Sequence, residues 1–161
     1  MAKKEEKTNV MRVLEQKHIP YTAHTYPADG PTDGVSVANY LHQDVEQVFK
    51  TLVTKAASGI YYVFDIPVAE NLDLKKAAKA VGEKSIAMIP QKELLPLTGY
   101  VHGGCSPVGM KKPFHTVFHE TVILFDTIWV SAGKIGAQVE VAPDALIALL
   151  GADTADVVVE A

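Results

Sequence analysis

Two apolar, β-branched runs separated by three residues constrain this chain more than any other feature. Residues 48–56 and 60–64 are joined only by Ala57-Ser58-Gly59, a connection that suits an antiparallel hairpin. At a period of two, Val48, Lys50 and Leu52 share one face of the first strand, while Phe49, Thr51 and Val53 share the other. Both faces are otherwise largely apolar, so the strand must be covered on both sides. Apolar types make up 48% of 161 residues and charged types 21%, which is enough to build that covering as one core.

The rest of the pattern supplies short elements around the hairpin. The spacing predicts a helix over 8–17, capped by Thr8 or Asn9 with Val10, Met11 and Leu14 inward, and ended by His18-Ile19-Pro20. A strand is expected at 21–26, turn chemistry at 29–34, a short helix from an N-cap at Ser36 to Leu41, and a helical turn at 44–47. Asp73 caps a helix over 73–81 that Gly82 stops. A strand at 85–89, a helix opened by Pro90, a glycine-rich loop over 100–108 and strands at 116–118, 122–125, 128–132 and 138–141 follow. Pro143 starts a helix to Leu150, and residues 157–159 are expected to return as a strand. Helices and strands interleave without a regular βαβ beat. The expectation is a mixed α+β fold, residues 1–161 forming one unit without repeats or linkers.

Charge and cysteine content exclude several classes. Fifteen basic and nineteen acidic residues give a net charge of −4, unsuited to a sequence-independent nucleic-acid coat. Residues 50–112 alone are positive, with nine lysines against five acids, and such a local patch can steer an anionic ligand. Lys75, Lys76 and Lys79 within it also read simply as a solvated helix face. Cys105 is the one cysteine, which rules out an internal disulfide and a Cys-rich zinc site. The charged segment from Met1 to Lys7 lacks an apolar signal region, and no apolar run approaches the ~18 residues of a membrane span. A cytoplasmic protein without membrane attachment is expected.

Four places could carry chemistry. Lys50 in an apolar strand is either an edge gatekeeper, a snorkelling side chain, or an ammonium aimed into a polar cavity to hold a phosphate, carboxylate or oxyanion. Gly103-Gly104-Cys105-Ser106-Pro107-Val108-Gly109 is a tight loop whose amides could polarise a carbonyl, or a sharp turn and no more. It has P-loop glycine spacing, but Met110-Lys111-Lys112 stands where Lys-Ser or Lys-Thr is required, which excludes an NTPase. Cys105 reads better as a packed side chain than as a nucleophile, for want of a lowered pKa and a positioned base. His115 and His119, on an expected strand, lie about 13 Å apart at ~3.3 Å per residue, too far to share a metal ion. Gly133-Lys134-Ile135-Gly136 after a strand is a turn whose amides could help hold a nucleotide.

In order along the chain, several motifs together resemble the YbaK/EbsC family of aminoacyl-tRNA deacylases, relatives of the editing domain of bacterial prolyl-tRNA synthetases. They are His24-Thr25-Tyr26, Val48-Phe49-Lys50-Thr51-Leu52, Leu72-Asp73-Leu74-Lys75-Lys76-Ala77-Ala78-Lys79, Thr98-Gly99-Tyr100, Gly103 to Gly109, Lys111-Lys112, and Val130-Ser131-Ala132-Gly133-Lys134. The resemblance implies short helices around a curved mixed sheet, no metal or organic cofactor, and hydrolysis in trans of mischarged tRNA, typically Cys-tRNA(Pro). It puts Lys50 on the family's essential lysine, and Tyr26, Gly103, Gly104, Ser106, Ser131 and Gly133 around the substrate pocket. It also implies that the substrate's own thiol is the nucleophile, with tRNA(Pro) and prolyl-tRNA synthetase as partners. Gln138 stands where an aspartate is common, and His102 and Cys105 replace bulky apolar residues. These departures leave open hydrolysis of Ala-tRNA(Pro) by water, or a non-catalytic module that binds tRNA or a synthetase.

Overall fold

The computed structural model describes residues 7–160. In chain order they form α1 (Asn9–Gln16), β1 (Tyr21–Thr25), α2 (Gly34–Tyr40), β2 (Phe49–Ala56), β3 (Tyr61–Pro67) and α3 (Leu74–Val81). Then come β4 (Ile86–Met88), α4 (Leu94–Thr98), β5 (His115–His119), β6 (Ile128–Ser131), β7 (Ala137–Val141), α5 (Pro143–Leu150) and β8 (Asp153–Ala155).

The hairpin forms as expected and sits at the centre. β2 and β3 pair antiparallel, with Lys50 opposite Ile66 and Thr51 opposite Asp65. β4 adds to β2 antiparallel, and β5 and β8 extend the other side in parallel, giving the order β4-β2-β3-β5-β8. A second, antiparallel sheet runs β1-β7-β6. The expected curved mixed sheet is therefore divided in two. The halves meet at one parallel bridge, Val48 to Trp129, where the Trp129 amide donates to Gln47 O at 3.0 Å. β2 borders β6 at its start and β4 at its end, so the strand changes neighbours along its length.

Covering follows on both sides. One face of the strands closes over Phe49, Phe118, Val130, Val139, Leu14 and Leu146. On the opposite face of the five-stranded sheet, α3 lays Ala77 and Ala78 against Phe64, Ile66 and Val117. α2 lays Ala38 against Val48, Val68 and Trp129. Burying a Phe or Val side chain contributes about 1.5–3 kcal/mol, so these clusters are the main source of stability.

Local signals set most boundaries. Thr8 Oγ1 accepts from the Met11 amide, Asp73 Oδ1 accepts from the amides of Lys75 and Lys76 at 3.0 Å each, and Gly82 ends α3 at φ 73°. Three expectations need correction. The cap of α2 is Asp33, whose carboxylate accepts from both the amide and the hydroxyl of Ser36, so the helix starts at Gly34. Residues 122–125 are not a strand; Glu120–Leu124 is a 3₁₀ turn that buries Val122 and leaves Ile123 66% and Leu124 74% exposed. The terminal strand is Asp153–Ala155 beside β5, and the later stretch touches the fold through a Leu72–Val158 bridge.

Candidate active site

The register between strands assembles a polar row that no local pattern shows. Gln138 on β7 opposes His24 on β1 and Ser131 on β6. Two residues on from the parallel Val48–Trp129 bridge, Ser131 comes level with Lys50 and on the same face. His24, Gln138, Ser131 and Lys50 thus lie side by side across four strands. The next row holds Glu140 and Trp129, which oppose each other. Tyr26 continues the β1 face past His24, its amide donating to Gly136 O at 2.9 Å. The reverse of these strands is the apolar side of Phe49, Val130 and Val139.

Lys50 is half-buried, and that burial pulls its pKa below the usual lysine range, with the Glu70 carboxylate countering. It makes no hydrogen bond or salt bridge among the described residues. Gln138 is buried with Oε1 unpartnered, as is Nε1 of Trp129. Buried polar atoms are normally paired, so the two neighbouring rows carry an unused acceptor, an unused donor and a free ammonium between them. Ser131 Oγ accepts from the Gly133 amide at 3.1 Å, which fixes the turn after β6.

Two glycine loops close the end of the row. A Cβ on Gly104 would lie 3.0 Å from both Ile135 N and Lys134 C, so the 103–104 loop rests on the 133–136 turn backbone to backbone. Only glycine permits that approach. The Gly104 amide is already engaged by Val101 O at 3.0 Å. Ser106 is fully buried, its hydroxyl accepting from the Val108 amide at 3.3 Å. Of the residues singled out by sequence, Tyr26, Lys50 and Ser131 share one face. Gly103, Gly104 and Gly133 form its end, and Ser106 is turned into its own loop.

Other sequence features lie elsewhere. Cys105 sits behind the loop, and burial together with the nearby Asp65 charge pushes its thiol up to about 12. His115 Nε2 meets Asp153 Oδ2 at 2.6 Å, and His119 Nδ1 accepts from the Val157 amide at 3.3 Å, so both rings tie β5 to the chain around β8. A cavity of about 290 Å³ lined by Val13, Pro107, Met110, Phe114 and Leu149 holds none of the polar row.

A free ammonium, neutral donors and acceptors and an aromatic neighbour on one face suit a polar, anionic, aromatic ligand. A family model described as the aminoacyl-tRNA editing domain matches residues 32–149. The chain belongs to that family. This editing domain is 42% identical over 160 residues to EbsC of Enterococcus faecalis, named a candidate Cys-tRNA(Pro)/Cys-tRNA(Cys) deacylase, with 98% of each chain covered. A crystal structure described as a candidate trans-editing enzyme for prolyl-tRNA synthetase matches with a TM-score of 0.83 at 27% identity, covering 97% of this chain and 100% of that one. The structure of a hypothetical protein, APE2540, shares the fold at a TM-score of 0.87 and 21% identity, covering 94% and 100%.

Sequence reasoning singles out Lys50, Tyr26 and Ser131, and the fold sets beside them residues that it does not single out. Trp129 and Glu140 carry no local signal of a site, and His24 enters only as part of a motif. Period-two alternation of 21–26 and 138–141 puts His24 with Tyr26 and Gln138 with Glu140. The pairing of the two strands is what joins them.

Proposed function

We propose that this editing domain hydrolyses the aminoacyl ester of mischarged tRNA in trans, with Cys-tRNA(Pro) as its substrate. The observation that supports this reading is the row of Lys50, Ser131 and Gln138, with an unpaired ammonium and an unpartnered amide oxygen on one face. Family membership and the name of the Enterococcus relative give the substrate class.

An aminoacyl ester is already activated, so positioning and carbonyl polarisation count for more than a strong acid. Lys50 holds the ribose or phosphate of the 3′-terminal adenosine and orients the ester. Gln138 Oε1 accepts from the substrate's α-ammonium, and Tyr26 and the 103–104 and 133–136 loops bound the pocket. The substrate sulfur then attacks its own carbonyl carbon. A C–S bond forms, the ester C–O bond breaks, and the thiol proton goes to the departing ribose oxygen. Water opens the resulting thiolactone to cysteine. The acidic net charge fits recruitment to tRNA through prolyl-tRNA synthetase rather than a tight grip on free tRNA.

The test is deacylation of Cys-tRNA(Pro) and Ala-tRNA(Pro) side by side. Release of cysteine alone is the expected result. Release of alanine would replace the substrate thiol by water, and release of neither would favour a non-catalytic binding module. Cys105→Ser should keep activity within about three-fold, because a thiol held protonated at neutral pH is a poor nucleophile. Its inactivation would point to an enzyme thiol instead.

A further inference from the structure

His24 is the member of the polar row with a surface still unused. Its ring lies 3.8 Å from the Trp129 indole with 18° between the planes, so one ring face is covered. Its Nε2 meets Glu140 Oε1 at 3.1 Å, and Glu140 is fixed in turn by the Thr127 hydroxyl at 2.6 Å. The ring cannot turn without losing both the stack and the hydrogen bond. Yet the side chain keeps 29% of its exposure. With Trp129 behind it and Glu140 at its edge, the outer ring face is what remains open.

A flat ring held rigid, backed by a larger aromatic, is a stacking surface for nucleic-acid bases. The reach from His24 to Lys50 is longer than one nucleoside. Three strand spacings of ~4.8 Å separate His24 from Lys50, about 14 Å in all. Gln138 and Ser131 lie between them. We infer that the outer face of His24, backed by Trp129, stacks a base of the single-stranded CCA end of the tRNA. This rests on the deacylase reading and adds to it the group that holds the base. Glu140 acts as a positioning residue, since it fixes the ring.

The chain has one tryptophan, so tryptophan emission reports on this stack alone. Titrating the full-length protein with the unacylated trinucleotide CCA should give a saturable change in that emission. His24→Ala should weaken CCA binding roughly ten-fold, and raise KM for Cys-tRNA by a similar factor with kcat retained. His24→Phe keeps a flat ring while giving up Glu140, and should bind within about three-fold of wild type. No saturable response in wild type, or unchanged affinity in His24→Ala, overturns the inference. His24→Phe as weak as His24→Ala also overturns it, by assigning the ring to the support of Glu140. AMP binding as tightly as CCA would give the platform to free nucleotides and remove the tRNA assignment. His24-dependent CCA binding without deacylation of any aminoacyl-tRNA would instead support the platform and sink the deacylase reading.

Discussion

Lys50→Ala is expected to lower kcat/KM for Cys-tRNA(Pro) deacylation by about 10²–10³-fold, the usual loss when one preorganised stabilising group is removed. The ammonium is half-buried on the face it shares with Ser131 and Gln138, where screening by water is reduced and its field on a phosphate or ester oxygen is strengthened. Burial already disfavours the charge, so the fold gains little from it. Alanine should therefore leave the unfolding midpoint unchanged or slightly raised, which separates a lost function from a lost fold. Lys50→Arg should recover only part of the rate, because a planar guanidinium cannot occupy the position of a compact ammonium between strands. The depressed pKa also has a sign. The working form is protonated, so activity should fall as pH rises through a value below the ordinary lysine range, and Lys50→Arg should lose that alkaline limb. Parallel kcat, KM and thermal-melt measurements on the two variants check this. Full activity in Lys50→Ala would remove the central residue of the proposed mechanism.

The contrast between Lys50 and the residues around it shows what a sequence of this kind reveals. The hairpin is legible because a three-residue connector and a period of two are local facts, and the ends of α3 are legible because Asp73 and Gly82 act on the backbone beside them. The 3₁₀ turn at Glu120–Leu124 is not, since an apolar run becomes a strand only when a neighbour offers it hydrogen bonds. β8 escapes for the converse reason, as Asp153-Thr154-Ala155 has no strand pattern and is held by β5. The polar face lies further still from local rules. His24 and Glu140 are 116 residues apart in sequence and 3.1 Å apart in space. Motif resemblance singles out Lys50, Tyr26 and Ser131, which share one face, without saying what stands between them. It also includes Ser106, which the fold buries. Asp65 escapes notice because a charged residue after an apolar run reads as the end of a strand, whereas β3 continues through it to Pro67.

Asp65 sets the second large effect, this time on stability. The carboxyl is fully buried, with Oδ1 accepting from the Thr51 hydroxyl at 2.5 Å and Oδ2 unpartnered. Desolvation pushes its pKa up to about 7, only partly offset by the Thr51 hydrogen bond. The folded state thus holds this proton more tightly than the unfolded chain, whose aspartates titrate near 4. Stability is then greatest below the unfolded value, falls as pH rises from about 4 to about 7, and levels off above it. The whole fall amounts to about 4 kcal/mol as an upper bound. Glu15, Asp33, Glu140 and Asp156 have pKa values displaced the other way, so their contributions fade as the solution is acidified through the ordinary carboxylate range and below. Asp65→Asn copies the shape of the neutral acid and cannot ionise. The variant should match wild type near pH 4, exceed it by about 2–4 kcal/mol at pH 8, and flatten the wild-type slope between. Urea unfolding at pH 4, 6 and 8 with a constant m-value measures this directly. Equal slopes in the two proteins would mean that Asp65 is solvated or paired in a way that leaves its pKa ordinary. The same charge stands beside Cys105, so its ionisation is felt next to the glycine-rich loop. Deacylation by wild type at pH 8 should accordingly be more heat-sensitive than deacylation by Asp65→Asn.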